Sequence, residues 1–217
     1  MPVDEVLRVP YQLPGSQAWQ WINIYTRLSQ ERIIFLNQPL TMGVANSLIS
    51  ALLYLDSQDP EKPIYLYINS YGDPVAMGLA DESAGMMAIT ACLSIYDTMQ
   101  HIRSPIITIA LGQCIGLATL LLSSGEKGKR GCLPHTELGL VHSYAGIQGQ
   151  ATDIQMTADE MLKKRGLMLE ILARNTGQSS EKIAQDMQRS FSLTPENARD
   201  YGLIDHVLGG LGESNPG

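Results

Sequence analysis

The sequence predicts an α/β fold, on three observations. Short runs rich in β-branched and aromatic residues recur along the chain, stretches with apolar residues at helical spacing lie between them, and Gly, Pro and Asp punctuate the junctions. The 217 residues suffice for one domain that buries about 70% of its unfolded surface. Arg32–Leu36 (RIIFL) reads as a first buried strand, and Val44–Leu55 as a helix ending before the Asp59-Pro60 breaker. Ile64–Ile68 (IYLYI) is a second strand, followed after a long loop by a helix through Ile95. Ile106–Ala110 is a third strand, and Gly112 begins a turn into a helix at Leu117–Leu122. Gly131–Leu133 and Leu138–His142 are short strands. Asp153–Asn175 is a long amphipathic helix, with Asp153 as its N-cap and Thr176-Gly177 closing it. Two short helices follow at Ser180–Met187 and Pro195–Asp200, the second capped by Thr194, and Ile204–Leu208 returns as an edge strand. Residues 1–18 and 210–217 are polar and rich in Pro and Gly, so a single domain is expected over 19–209 between mobile ends.

Charge and composition exclude several functions. Fifteen Lys+Arg against 22 Asp+Glu give a net charge of −7, the wrong sign for a nucleic-acid partner. The basic cluster Lys127, Lys129 and Arg130 is too short to reverse that. Hydrophobic content of 44% with 17% charged residues is that of a folded chain. No apolar run approaches the roughly 18 residues a membrane span needs, and the N-terminus lacks a basic-then-apolar signal pattern. Three scattered cysteines, Cys92, Cys114 and Cys132, make no disulfide framework and point to the cytoplasm. They show no metal-ligand spacing with the four histidines.

Several blocks then carry a family resemblance: INIYTRLSQERIIFL (22–36), DPEKPIYLYINS (59–70), SIYDTMQ (94–100), LLSSGEKGKRGCLP (121–134), IQGQATDI (147–154) and ARDYGLID (198–205). In this order they resemble ClpP, the proteolytic subunit of the Clp protease, over about Ile24 to Leu208. The resemblance implies a crotonase-like ββα spiral with a protruding handle helix (about 145–176), assembled into heptameric rings stacked in pairs. It implies a cytoplasmic protein, or a stromal one if a plastid houses it. No cofactor is implied.

ClpP-type peptidases are serine hydrolases, which need a nucleophile on a strand-to-helix turn, a histidine base and a carboxylate that fixes its tautomer. Where the family writes G-Q-x-x-S-M-G, this chain has Gly112-Gln113-Cys114-Ile115-Gly116-Leu117-Ala118, so the nucleophile position is Gly116. The base position is His142, the triad aspartate falls on Ser190, and Leu117 offers the oxyanion amide. After Asn69-Ser70 the chain carries an insertion of roughly fourteen residues (about 71–87), long for a βα connection. The combination resembles the ClpR subunits, the non-catalytic ClpP paralogues of photosynthetic lineages. The expectation is therefore a degenerate serine endopeptidase homologue without activity of its own, co-assembled with active ClpP-type subunits in a mixed tetradecamer. Two alternatives are a peptidase rewired through Cys114 and His142, and an acyl-CoA enzyme of the crotonase kind. By the same resemblance, Gln150, Thr152, Asp153, Gln188 and Arg189 make the contact between rings. Tyr65, Tyr67 and His101 fall on the rim that docks an AAA+ unfoldase of the ClpC or ClpX kind, which feeds in protein substrates.

Overall fold

The computed structural model describes residues 7–12, 15, 18–75, 78, 84–142, 150–189 and 191–209. The chain begins with an antiparallel ribbon of β1 (Arg8–Gln12) and β2 (Trp19–Asn23), registered Pro10 to Trp21. Residues 1–18 were expected to be a mobile segment, and β1 lies within that range. Pro10 inside the run argued against a strand, yet a two-stranded ribbon has an open edge where a missing N–H costs nothing. Helix α1 (Ile24–Gln30) follows, capped by the Asn23 side chain accepting from Tyr25 N at 2.8 Å.

The remaining elements, β8 apart, alternate as expected. They are β3 (Ile33–Leu36), α2 (Met42–Gln58), β4 (Ile64–Ser70), α3 (Ala84–His101), β5 (Ile106–Ile115), α4 (Leu117–Ser123), β6 (Arg130–Cys132) and β7 (Glu137–Leu140). The chain closes with α5 (Ala151–Thr176), α6 (Ser180–Met187), β8 (Phe191–Leu193), α7 (Pro195–Tyr201) and β9 (His206–Val207). Strands β3, β4, β5, β6 and β9 form one parallel path. The sheet forks at β5, whose first half pairs with β6 (Thr108 to Arg130) and whose second half pairs with β7 (Gln113 to Glu137). Strand β8 adds antiparallel to β7, Phe191 opposite Leu140. Sequence reading missed β1, β2, α1 and β8 and placed Asp153 as the cap of α5. The cap residue is Gln150, and Asp153 lies in the first turn, where its charge favours the helix dipole.

Burial explains these assignments. Ile64, Leu66 and Ile68 of β4 are fully buried on one face, and α2 lays Ala45, Leu48, Leu52 and Leu55 on the core. Helix α4 is buried at all seven positions, which is why its sequence, LATLLLS, carries no charge. Helix α5 is the opposite. Only Met168, Ile171 and Leu172 are buried, while Met156 and Leu162 are 71% and 63% exposed. Among the described residues no helix is long and apolar enough to cross a membrane.

Candidate active site

The site grows from the strand-to-helix turn between β5 and α4. Gly116 stands there with φ 59° and ψ −117°, a conformation that side chains resist. It is pinned on both sides. Its N–H donates to Gly139 O at 2.9 Å, and its carbonyl accepts from Thr119 N at 3.1 Å. The Thr119 hydroxyl, fully buried, lies 2.8 Å from both Cys114 O and Gly139 O. The turn is thus built by main chain and one buried hydroxyl, and its geometry does not depend on a side chain at 116. A Cβ at Gly116 would meet nothing nearer than Val141 O at 3.6 Å and Tyr71 O at 3.7 Å.

The exit of β4 closes on the same turn. Ser70 Oγ donates to Gln38 O at 2.8 Å and accepts from Gly72 N at 2.9 Å, and Leu40 N donates to Gly72 O at 2.6 Å. Gly72, at φ 76°, lies so close that a Cβ would fall 2.7 Å from Ala118 N and 2.8 Å from both Leu117 N and Ile115 O. Only glycine fits this approach of backbone to backbone. Next to it, Asp73 is 3% exposed; one carboxylate oxygen accepts from Val75 N at 2.9 Å, and the other has no partner among the described residues.

His142 follows β7, one residue past Val141, and is half-buried. Its Nε2 lies 2.9 Å from Arg165 Nη2 on α5. A guanidinium has only donors to offer, so Nε2 accepts and the neutral imidazole carries its proton on Nδ1. Burial, and then the Arg165 charge, hold the His142 pKa below the ordinary imidazole value.

Of the expected positions, 116 and 117 are consecutive at the turn, and the residue before His142 places its carbonyl, Val141 O, 3.6 Å from where a Gly116 Cβ would stand. Ser190 lies outside the described residues, while its neighbour Phe191 pairs with Leu140, two residues before His142. Leu117 is the first residue of α4 and fully buried. Cys114 is fully buried in β5, and burial pushes its thiol up to about 12, so it is neither reachable nor ionised as a nucleophile. Gln150, Thr152 and Asp153 are exposed at the start of α5, Gln188 caps α6, and Arg189 is exposed just beyond it. Tyr65 and Tyr67 are half-buried on β4, and His101 ends α3 in the exposed class.

Sequence reading missed three participants. Sequence reading gave no role to Arg165, an exposed residue at the end of Lys163-Lys164-Arg165, the longest unbroken basic run in the chain. Tyr25 and Phe35 form an aromatic ladder with Tyr67, Phe35 stacking on Tyr67 at 5.5 Å and meeting Tyr25 edge-on at 5.6 Å. The ladder borders a cleft of about 350 Å³ between α1, β3 and α2, lined by Tyr25, Phe35, Val44 and Leu48. The signal for it was an aromatic at every second strand position and one at the head of α1.

The Clp protease family model matches residues 15–81 and 82–210. The ATP-dependent Clp protease proteolytic subunit 2 of Prochlorococcus marinus (strain NATL2A) is 46% identical over 202 residues, 92% of this chain and 94% of the relative. The proteolytic subunit 1 of Gloeobacter violaceus (strain ATCC 29082 / PCC 7421) is 44% identical over 208 residues, 96% and 98% of the two chains. The proteolytic subunit 3 of Parasynechococcus marenigrum (strain WH8102) is 45% identical over 202 residues, 92% and 94%. These relatives overturn the expectation of a chain that is not an enzyme. At about this identity over most of the length, proteins named proteolytic subunits point to a peptidase. That expectation gave two replaced positions, Gly116 and Ser190, and one insertion more weight than the whole of the surrounding sequence.

Proposed function

This chain belongs to the Clp protease family, and we propose that it works as a proteolytic subunit of an ATP-dependent Clp peptidase built from more than one kind of subunit. In this reading it joins ClpP-type chains in stacked heptameric rings, resembling the ClpR branch in its insertion and in Gly116, and an AAA+ unfoldase delivers protein substrates to the chamber. The observation that carries the reading is the turn at Gly116. Strands β5 and β7 and helix α4 are tied there by main-chain hydrogen bonds and the β4 exit packs against it at Gly72, an arrangement suited to placing a scissile carbonyl. Residue 116 supplies no hydroxyl, so no acyl-enzyme forms on it, and a nucleophile for a peptide bond beside this turn is not a side chain of that residue.

Two surfaces support assembly. The leading half of α5 leaves Met156 and Leu162 mostly exposed, apolar surface suited to a partner helix across the ring equator. The aromatic cleft beside Phe35 suits an apolar loop of the unfoldase.

Reconstitution tests the proposal. The purified chain is mixed with a ClpP-type partner and an unfoldase, the particle is weighed by native mass spectrometry, and ATP-dependent degradation of a folded reporter is followed. A tetradecamer containing this chain, with degradation that falls when the chain is left out, is the expected result. A chain that stays out of the particle, or whose omission changes nothing, refutes it.

A further inference from the structure

The β1–β2 ribbon has two unlike faces. Val9, Tyr11 and Ile22 are half-buried on the side where Arg27 of α1 lies over the Tyr11 ring at 5.8 Å. The opposite side carries Arg8, Pro10, Trp19, Trp21 and Asn23, all exposed. They share that face because Arg8 stands opposite Asn23 and Pro10 opposite Trp21, and side chains alternate along each strand. Trp19 and Trp21 are 67% and 68% exposed, and they are the two tryptophans of the chain. Two neighbouring indoles left in water mark a contact surface.

The ladder decides which edge of the ribbon can pair further. Ile24 N donates to Leu7 O at 2.9 Å, so residues 7 and 24 form a hydrogen-bonded pair, and in an antiparallel ladder such pairs recur at every second residue. Val9 with Ile22 and Tyr11 with Gln20 therefore hold the ribbon together, and the main-chain groups of the residues between them point outward. On the β1 edge the outward position 10 is a proline, which has no N–H to give. On the β2 edge Trp19 and Trp21 turn both N–H and C=O outward. Among the described residues no third strand pairs with this sheet.

We propose that the β2 edge and its tryptophan face bind an extended peptide segment as a third strand, with apolar residues at two alternate positions and an acid two residues before the first. The main chain of Trp19 and Trp21 supplies the hydrogen bonds, and alternate side chains, about 7 Å apart in a strand, land on the two indoles. Antiparallel pairing, the stronger kind per residue, runs the segment from the level of Asn23 towards that of Trp19. Arg8, level with Asn23, places a positive charge at the end where the segment begins, and an acid there complements it. The surface lies on the ribbon, and the inference is independent of the chemistry at Gly116.

A capped pentapeptide, acetyl-Glu-Thr-Leu-Thr-Leu-amide, tests it on the full chain, with tryptophan emission reporting on this face alone. Binding should move the emission saturably to shorter wavelength as the indoles leave water. N-methylation of both leucines, whose N–H groups face β2, should weaken binding at least about tenfold, whereas N-methylation of both threonines, whose N–H groups face away, should not. Lysine in place of the glutamate should weaken it about threefold, and Arg8→Gln should erase that difference. Trp21→Ser, followed by anisotropy of the labelled peptide, should weaken binding roughly fivefold with the circular dichroism spectrum unchanged. No saturable shift, or equal binding of the two N-methylated peptides, overturns the proposal. A shift that follows protein concentration without peptide, with a doubled mass in light scattering, assigns the edge to a second copy and overturns it too. So does a shift with phosphatidylcholine vesicles and none with peptide, which assigns the face to lipid.

Discussion

Replacing Asp205 by alanine strands a buried cation. The Arg130 side chain is 3% exposed and that of Asp205 17%. One Asp205 oxygen accepts from Arg130 Nη2 at 2.8 Å, and the other from Arg130 Nε at 2.9 Å, Arg130 N at 3.0 Å and Gly128 N at 2.8 Å. The same guanidinium donates to Ser123 O and Asn175 O, the ends of α4 and α5. Asp205→Ala therefore removes four accepted hydrogen bonds and leaves a charge without its counter-ion in the interior. Breaking a buried pair on one side costs about 3–5 kcal/mol, against a total of about 5–15 kcal/mol for a domain. At about 2–4 °C per kcal/mol for this size, the melting temperature should fall by roughly 6–20 °C. Urea unfolding of the full chain, followed by circular dichroism, should show the midpoint shifting with the slope unchanged. The double substitution Arg130→Met with Asp205→Ala should lose less than Asp205→Ala alone, because no charge remains buried. A loss under about 1 kcal/mol for the single variant, or a double variant worse than the single, would refute the reasoning. Acid should mimic the mutation. Burial alone would raise the Asp205 pKa, but the hydrogen bonds and charge of Arg130 outweigh it and hold the pKa below the ordinary carboxylate value. The contribution is thus complete above the unfolded value of about 3.9 and is lost as pH falls through the folded one.

The site yields two further tests. Gly72→Ala would drive a Cβ to within 2.8 Å of main-chain atoms of Ile115, Leu117 and Ala118, none of which can rotate away. A loss of about 2–4 kcal/mol is expected in urea, and a loss under about 1 kcal/mol would mean that the β4 exit does not seat on the turn. Arg165→Met should raise the His142 pKa, read by NMR titration of its ring protons, while burial keeps it below the ordinary value of about 6.5. In the wild-type chain the unfolded imidazole takes up a proton that the folded one resists, so this term favours folding above the unfolded pKa and is lost as pH falls below it. A pKa unmoved by Arg165→Met would sever the link to α5.

Much of the fold was legible because its periodicities are strong. The strand β4 alternates buried and half-buried residues, α4 is an uninterrupted small and apolar stretch, and Thr194-Pro195 marks the start of α7 through a cap and a fixed φ. The elements that escaped are short and polar. β8 has three residues and exists because β7 offers a free edge, and β1 contains a proline tolerated only on an open ribbon. The basic cluster read at residues 127–130 shows the same limit. Arg130 was counted as surface charge, yet Asp205, 75 residues later, draws it inside.

Residue 116 carries no hydroxyl whatever surrounds it, since side-chain chemistry is covalent and no folding alters it. The order of most strands and helices, α1, β1, β2 and β8 excepted, was equally written in the chain, because hydrophobic spacing acts between neighbours a few residues apart. What the molecule does with those facts was decided in three dimensions. The approach of Gly72 to the α4 backbone, the contact of Arg165 with His142 and the burial of Arg130 each join segments distant in sequence. They depend on where packed elements come to rest, and no local pattern encodes that.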